Sequence, residues 1–319
     1  MNKHETMLRL AVLSLLLFAV RAQAQRAFDV DIIHETFRFD SSTKQSVSLD
    51  DLHQGCPARD CIPSIDNPKF VSATDATHVG DDDIVIAIAF GDEFRAYPAQ
   101  ILDHHEIVND TIAGEPIAIT WCPLCGSAVG VRREVAGTIT EFGVSGLLYN
   151  SDLVFYDRKT ETLWDQVIAE GIVGPLTGET LDLVPVTMTR WSRWRAAHPS
   201  TLVLSEDTGF AMDYSTDHYG KYRDSTRIVF PVEEEDKRIH PKSVVFGFDL
   251  GEESVAYTES LLQEHSSYSH ELDGVEHTVT LRDDGTVVLE RGESTALLEP
   301  IRLYWFAWYT FHPETALIK

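Results

Sequence analysis

The residues best suited to chemistry in this sequence form one short run, Cys122-Pro123-Leu124-Cys125-Gly126. Two thiols at this spacing can hold one metal ion, because the proline stiffens the turn and the glycine permits a positive φ. The same spacing allows a reversible disulfide for thiol–disulfide exchange, or a permanent structural disulfide in a non-enzymatic binding or scaffold protein. The valines and glycines that follow the run indicate a hairpin, whereas redox motifs of the thioredoxin type lie where a strand meets a helix. This context favours metal binding.

A metal ion needs more ligands than two sulfurs, and Asp103-His104-His105-Glu106 offers the nearest candidates. We predict His105 as the third ligand and zinc, or another thiolate-binding transition metal, as the ion. An open fourth position would permit hydrolytic or transfer chemistry, but the sequence alone does not decide whether the protein is an enzyme. Roles in orienting a substrate or supporting the ligands are predicted for His104, Glu106, Tyr149, Asn150, Asp152, Arg158 and Trp164.

The N-terminus predicts export. Lys3 and Arg9 precede an apolar run at 10–20, and Ala22-Gln23-Ala24 is a pattern that signal peptidases accept, which predicts a signal peptide over residues 1–24 and a periplasmic or extracellular protein. The run is shorter than the ~20 residues of a membrane-spanning helix, so no integral membrane segment is expected after cleavage. Under oxidising conditions Cys56 and Cys61, which flank four residues, are expected to form a disulfide.

The composition narrows the class of partner. With 26 basic and 51 acidic residues the formal net charge is −25, which repels nucleic acid and anionic membrane surfaces. A hydrophobic content of 43% is enough for one large or two ordinary cores. A small molecule or a metal ion is therefore the expected partner.

The elements that would position the Cys-Pro-Leu-Cys-Gly run are mostly strands. Residues 28–69 are polar and form an extended arm, while 84–90 is an apolar run typical of a buried strand. A short strand at 95–97, a helical turn at 98–103 and a strand at 117–121 follow, and the last of these leads directly to Cys122.

Much of this pattern recurs later in the chain. Several residues are followed by the same residue type 160 positions later. They are Gly91, Glu93, Ala96, Tyr97, Leu102, His105, Gly114 and Thr120. At an offset of 114 positions they are Trp191, Trp194, His198, Pro199 and Thr201. The second copy therefore lacks about 46 residues between the equivalents of Thr120 and Trp191.

We predict an α+β, strand-rich protein of two related lobes that arose by internal duplication. An arm at 25–70 leads to a first lobe at 71–230 with the cysteine pair, and a second, reduced lobe covers 231–319. For residues that recur in both copies, including His105, a structural role in packing or hydrogen bonding is the alternative to a functional role. The run from Tyr149 to Asp152 has turn formation as its alternative.

Five longer runs resemble the DUF3179 family, a domain of unknown function in bacterial and archaeal exported proteins. The runs lie at 62–70, 105–110, 120–128, 142–153 and 311–315, and the likeness covers most of the chain. The resemblance implies no established activity. The family usually has glycine or proline in place of Cys56 and Cys61, which implies a local disulfide added in this chain and argues against these two as shared ligands.

Overall fold

The structure is a computed structural model that describes residues 28–319. The predicted signal peptide, 1–24, lies outside the described residues. In chain order the strands are β1 His53–Gln54, β2 Phe70–Ser72, β3 Ile84–Phe90, β4 Glu93–Pro98, β5 Ile107–Ile112, β6 Glu115–Cys122, β7 Ser127–Arg132, β8 Glu134–Val135, β9 Thr138–Ile139, β10 Phe142–Tyr149, β11 Asp152–Asp157, β12 Leu163–Asp165, β13 Gly171–Val173, β14 Leu183–Val184, β15 Thr187–Arg190, β16 Leu202–Leu204, β17 Val244–Asp249, β18 Ser254–Thr258, β19 Ser267–Leu272, β20 Val275–Leu281, β21 Val287–Arg291, β22 Ile301–Tyr304 and β23 Ala316–Ile318.

The helices are few and short. They are α1 Ala99–Leu102, α2 Trp191–Ala197, α3 Gly220–Arg223, α4 Glu259–Glu264 and α5 Trp305–Phe311, with a π-helical turn at Ile32–Thr36 and a 3₁₀ turn at Leu49–Asp51. The predicted strand-rich class is confirmed, since 38% of residues lie in strands and 12% in helices. No helix within residues 28–319 is long and apolar enough to cross a membrane.

Two sheets carry the cysteine pair and its surroundings. One is antiparallel in the order β1-β10-β11-β12-β13, and the other has the order β14-β7-β6-β5. β6 and β7 form a hairpin whose connection is the Cys-Pro-Leu-Cys-Gly run. The hairpin expected from the residues after the run, 128–133 with 138–144, does not form, because β7 pairs with β6 and β14, and only the two-residue strands β8 and β9 pair across the turn at Ala136-Gly137. Strand β3, predicted from its β-branched residues, has the same bounds in the structure.

Two further sheets have the same arrangement of strands. One has the order β15-β3-β4-β16-β2 and the other the order β22-β17-β18-β23. In each, the strand before a Trp-rich helix pairs with the first strand of a hairpin, and the second strand of that hairpin pairs in parallel with the strand after the helix. The remaining sheets are β19-β20-β21 and the small hairpin β8-β9.

The largest apolar core joins the sheet that carries Cys122 and the neighbouring β1-β10-β11-β12-β13 sheet to the C-terminal part of the chain. Cys122 and Cys125 belong to this core, together with Phe155, Trp164 and Trp305. The predicted arm is not detached, because side chains of residues 32–52 pack against β10 and β11 in a core of their own. The thiols are thus deep in the molecule, where apolar packing fixes the position of every group around them.

Candidate metal site

The thiols lie in the tight connection between β6 and β7. Cys122 pairs with Ser127 at the end of the hairpin, and Gly126 has a φ of +61°, a conformation that glycine adopts with little strain. The amide of Cys125 donates a hydrogen bond to Sγ of Cys122 at 3.3 Å. The connection therefore turns both sulfurs to the same side.

A second hairpin brings a carboxyl group to the sulfurs. β10 and β11 are joined by Asn150 and Ser151, which have φ values of 50° and 64°, as in the two-residue hairpin turns that suit twisted strands. Turn formation, which the sequence analysis gave as the alternative for this run, is observed. The carbonyl of Ser151 accepts a hydrogen bond from the Cys125 thiol at 3.3 Å, and Asp152 follows at once.

Cys122, Cys125 and Asp152 form a compact group of candidate ligands. Their two Sγ atoms and a carboxylate oxygen all lie within 4.8 Å of one another, and the three residues are at most 2% exposed. Ligands that bind one ion at about 2.3 Å cannot lie more than about 4.6 Å apart, so this group could hold a single ion after little movement.

Asp165, on the neighbouring strand β12, places a second buried carboxyl beside Asp152. Burial raises the pKa of Asp152 to about 6, and burial together with the charge of Asp152 raises the pKa of Asp165 well above its usual range. Each carboxyl accepts a backbone amide hydrogen bond, but Oδ1 of Asp152 and Oδ2 of Asp165 have no partner among the described residues. Unpaired buried oxygens of this kind are uncommon and costly.

Glu106 adds a third buried carboxyl. Its φ of +57° is unusual for a residue other than glycine, and no residue within 28–319 donates a hydrogen bond to its carboxyl group. Burial, and secondarily the charges of Asp103 and Asp152, raises the pKa of Glu106 to about 8. The backbone strain at this position is consistent with a functional placement of the side chain.

The site has an excess of acidic groups and no cation to balance them. No salt bridge among the described residues includes Glu106, Asp152 or Asp165. Burial raises the pKa of both Cys122 and Cys125, so the metal-free thiols hold their protons at neutral pH. A bound cation would remove the cost of placing these groups together.

The structure does not bring His105 to the sulfurs. Nδ1 of His105 is 2.7 Å from the carbonyl of Pro63, which can only accept, and Nε2 is 2.7 Å from the Tyr214 hydroxyl. Burial lowers the pKa of His105, so the ring is neutral and both of its nitrogens are already engaged. The third candidate ligand is Asp152 instead.

The other residues predicted to surround the ligands lie in several places. Asn150 and Trp164 are near the group, where Asn150 caps the Glu233 amide at 2.8 Å and Trp164 packs in the core. The hydroxyl of Tyr149 donates a hydrogen bond to Glu233, and burial raises the pKa of Tyr149.

Arg158 and His104 lie farther from the ligand group. The Arg158 guanidinium binds Asp66 and Glu141 at 2.8 and 2.6 Å. The ring of His104 makes edge-to-face contacts with Tyr214 and His218 and does not belong to the group of candidate ligands.

Asp165 is a site residue that the sequence analysis missed. Its signal was a carboxylate inside an otherwise apolar strand, Leu163-Trp164-Asp165, since charged residues are seldom fully buried without a partner. The neighbouring Gln166 holds this strand to the hairpin, because its side chain bonds Ser127 Oγ and Thr120 Oγ1 at 2.5 and 3.0 Å.

Two cavities border the cysteine hairpin. A cavity of about 110 Å³ reaches Cys122 and Glu106 and is otherwise lined mainly by apolar side chains. A larger one of about 510 Å³ touches the outer face of the hairpin at Pro123 and Gly126, but neither thiol lines it. The small cavity is therefore the one that belongs to the site.

Cys56 and Cys61 form the expected disulfide, with their Cα atoms 6.3 Å apart, while Cys122 and Cys125 are free. Cys56 also lines the small cavity. The arm therefore covers one side of the site, and the disulfide fixes the conformation of that cover.

A family model described as "Protein of unknown function (DUF3179)" matches residues 59–315, a range that includes Cys122, Cys125, Asp152 and Asp165. No curated protein and no solved structure matches the chain.

Proposed function

Because the chain belongs to the DUF3179 family, whose description assigns no activity, we propose a function from the site itself: the protein binds a metal cation through Cys122, Cys125 and Asp152. The two thiolates and the carboxylate would be the direct ligands. Asp165 and Glu106 would supply further negative charge next to the ion.

One observation carries the proposal. Two sulfurs and a carboxylate oxygen converge within 4.8 Å at buried residues, and the adjoining Asp152 Oδ1 and Asp165 Oδ2 have no partner in the described part of the chain. A packed core normally leaves few such atoms unsatisfied. A cation at this point would bind both sulfurs and an oxygen of Asp152, and its charge would offset the cost of burying Asp165 beside them.

The donor set restricts the kind of ion. Thiolates favour borderline or soft transition metals, so calcium and magnesium, which take oxygen ligands, fit poorly. Zinc belongs to the favoured group, yet two sulfurs and one carboxylate do not select it over cobalt, iron, copper or cadmium. The proposal is therefore for a thiophilic cation.

Thiol–disulfide exchange remains the competing function, because two free cysteines stand at the required spacing. Reactive cysteines lie in electropositive, partly exposed surroundings that lower the thiol pKa. Cys122 and Cys125 have the opposite environment, buried and acidic, with a raised pKa. We therefore rank metal binding above redox exchange.

Elemental analysis with a free-thiol count tests the proposal. Protein from the exported fraction should contain about one equivalent of a transition metal, and Cys122→Ser, Cys125→Ser or Asp152→Asn should lose it. Asp110→Asn is the control. Asp110 is also a buried carboxyl, but it lies on β5 and accepts a hydrogen bond from the Tyr97 hydroxyl of β4, outside the ligand group. A metal-free parent in which Cys125→Ser traps mixed disulfides would instead establish redox exchange.

Two further proposals concern the chain as a whole. We propose that residues 71–230 and 231–319 are related lobes of a duplication, with support from the two sheets of matching strand order. We also propose that the protein is exported, with support from the disulfide between Cys56 and Cys61. N-terminal sequencing of the mature protein would test the second proposal, and cleavage after Ala24 is the expected result.

A further inference from the structure

The small cavity beside the sulfurs has an unusual combination of walls. Most of its lining is aliphatic or aromatic, including Val144, Leu147, Leu153 and Phe230, and the polar exceptions include the Glu106 carboxyl. Glu106 is only 8% exposed, and no described residue donates a hydrogen bond to its carboxyl group. A purely structural cavity gains nothing from an unpaired carboxyl, which is expensive to bury.

The geometry points to a ligand pocket: we infer that this cavity binds a small neutral molecule with a short apolar body and one hydrogen-bonding group, which Glu106 engages. The inference rests on the proposed function in one respect. Cys122 lines the same cavity, so the bound molecule would lie next to the metal ion.

The volume sets the size of the molecule. The cavity measures about 110 Å³, and an apolar cavity of about 150 Å³ accommodates benzene. The pocket therefore suits a body of about four to six heavy atoms. The lining residues that keep exposed or partly exposed surface mark the side on which such a molecule would enter, and they are Gly55, Ile62, Leu124, Leu148, Tyr219 and Phe230.

The charges select a neutral molecule. The lining contains no lysine, arginine or histidine, and a divalent cation held by two thiolates and a carboxylate would leave the site with a net negative charge, so an anionic ligand would find no free counter-charge beside Glu106. An apolar wall also disfavours a fully charged ammonium group. A primary amide or an alcohol can donate to and accept from the Glu106 carboxyl without carrying a net charge.

Three probes with the same branched apolar body test the inference: isobutyramide, its isostere isobutyrate, and the slightly smaller isobutylamine. Titration is followed by ligand-observed NMR on the metal-free protein, and by the visible spectrum of the cobalt-loaded protein. We expect isobutyramide to bind at least tenfold more tightly than either charged probe, and to perturb the cobalt spectrum. Preferential binding of the anion or the amine, or no binding of the amide, would overturn the inference.

Variants locate the probe. Leu148→Phe should fill the mouth and weaken isobutyramide binding at least tenfold, whereas Leu183→Phe, at a residue that is 55% exposed on β14, should have no effect. Glu106→Gln should retain binding within about threefold, and Glu106→Met, of similar size, should lose at least tenfold. Equal affinity for the Gln and Met variants would show that Glu106 does not engage the ligand.

The two measurements separate the proposals. Amide binding to the metal-free protein, with no cobalt uptake, would support the pocket and reject the metal site. Cobalt uptake, with no isobutyramide binding to the metal-free or the cobalt-loaded protein, would support the metal site and reject the pocket.

Discussion

The backbone amide of Tyr304 donates a 2.8 Å hydrogen bond to the carbonyl of Cys125. Tyr304 ends β22, in the C-terminal part of the chain, so this bond fixes the cysteine hairpin against a strand almost 180 residues later. The ring of Tyr304 also closes over Gly126, where a Cβ atom would come within 2.8 Å of ring carbons. The position of both thiols thus depends on long-range packing as well as on the local turn.

Gly126→Ala should therefore be strongly destabilising. The new Cβ meets a ring that cannot move freely in the core, and the positive φ is strained for alanine, so we expect a loss of about 2–4 kcal/mol in the free energy of unfolding. Urea denaturation measures this loss. Gly137→Ala is a matched control, because its φ of +74° is similar but a Cβ atom there would have no other atom within 4 Å. Equal losses at both positions would contradict a special contact with Tyr304.

Removal of the disulfide should cost stability without affecting the metal. Cys56 and Cys61 are separated by five positions, and closure of so short a loop in the unfolded chain corresponds to about 2 kcal/mol. We expect the double variant Cys56→Ser, Cys61→Ser to lose about 2 kcal/mol in the free energy of unfolding, measured by urea denaturation, and to keep its metal stoichiometry. Loss of the metal would show that these sulfurs belong to the binding site.

Arg158 should prove to be a structural residue. Its guanidinium is 31% exposed and joins Asp66 of the arm to Glu141, contacts that contribute about 1 kcal/mol at such exposure. We expect Arg158→Gln to lower the free energy of unfolding by this amount and to leave metal content unchanged. A change in metal content would return Arg158 to the role predicted from the sequence.

His312 should make stability depend on pH. Its ring stacks on Trp308 with centroids 3.9 Å apart, and burial lowers the pKa of His312 below 6.5, partly offset by Asp249. The unfolded chain then takes up this proton more readily than the folded one, so the contribution is complete above pH 6.5 and is lost as the pH falls below it. Urea denaturation from pH 8 to pH 5 measures this effect. The difference in free energy of unfolding between the parent and His312→Gln should become smaller as the pH falls. An advantage that grows toward pH 5 would contradict the sign.

Local features of the fold were predictable from the sequence. The continuous apolar run at residues 84–90 predicts a buried strand, and glycine at 126 after the second cysteine predicts a tight turn. The turn at Asn150 and Ser151 was likewise legible from residue type. Each of these signals acts within a few residues of the chain.

The partners of the thiols were not predictable in the same way. Asp152 reaches Cys125 only because the β10–β11 hairpin packs on the β6–β7 hairpin, and a sequence does not specify how sheets pack against each other. His105 was favoured as a ligand from its residue type and proximity in sequence. Its actual partner, Tyr214, lies 109 positions away, so nothing local distinguished a hydrogen-bonded histidine from a metal ligand.

Asp165 offers the sharpest test of the metal site, because its effect on stability should change sign with the metal. Without an ion, burial beside Asp152 raises the pKa of Asp165 well above its usual range, so folding makes this carboxyl take up a proton at neutral pH, and Asp165→Asn, which avoids that cost, should raise the free energy of unfolding by on the order of 1–3 kcal/mol. Asparagine Oδ1 can still accept the Ile168 amide, so the strand should keep its conformation.

With a saturating thiophilic cation the order should reverse. The parent retains the negative charge beside the ion and binds it more tightly, and ligand binding stabilises the native state in proportion to the logarithm of affinity. Thermal melts of parent and variant, in chelator and then in excess zinc or cadmium, give the comparison, with Asp110→Asn as the control. A variant that melts above the parent by the same margin in both conditions would place the ion elsewhere, because Asp165 would then contribute repulsion but no metal affinity.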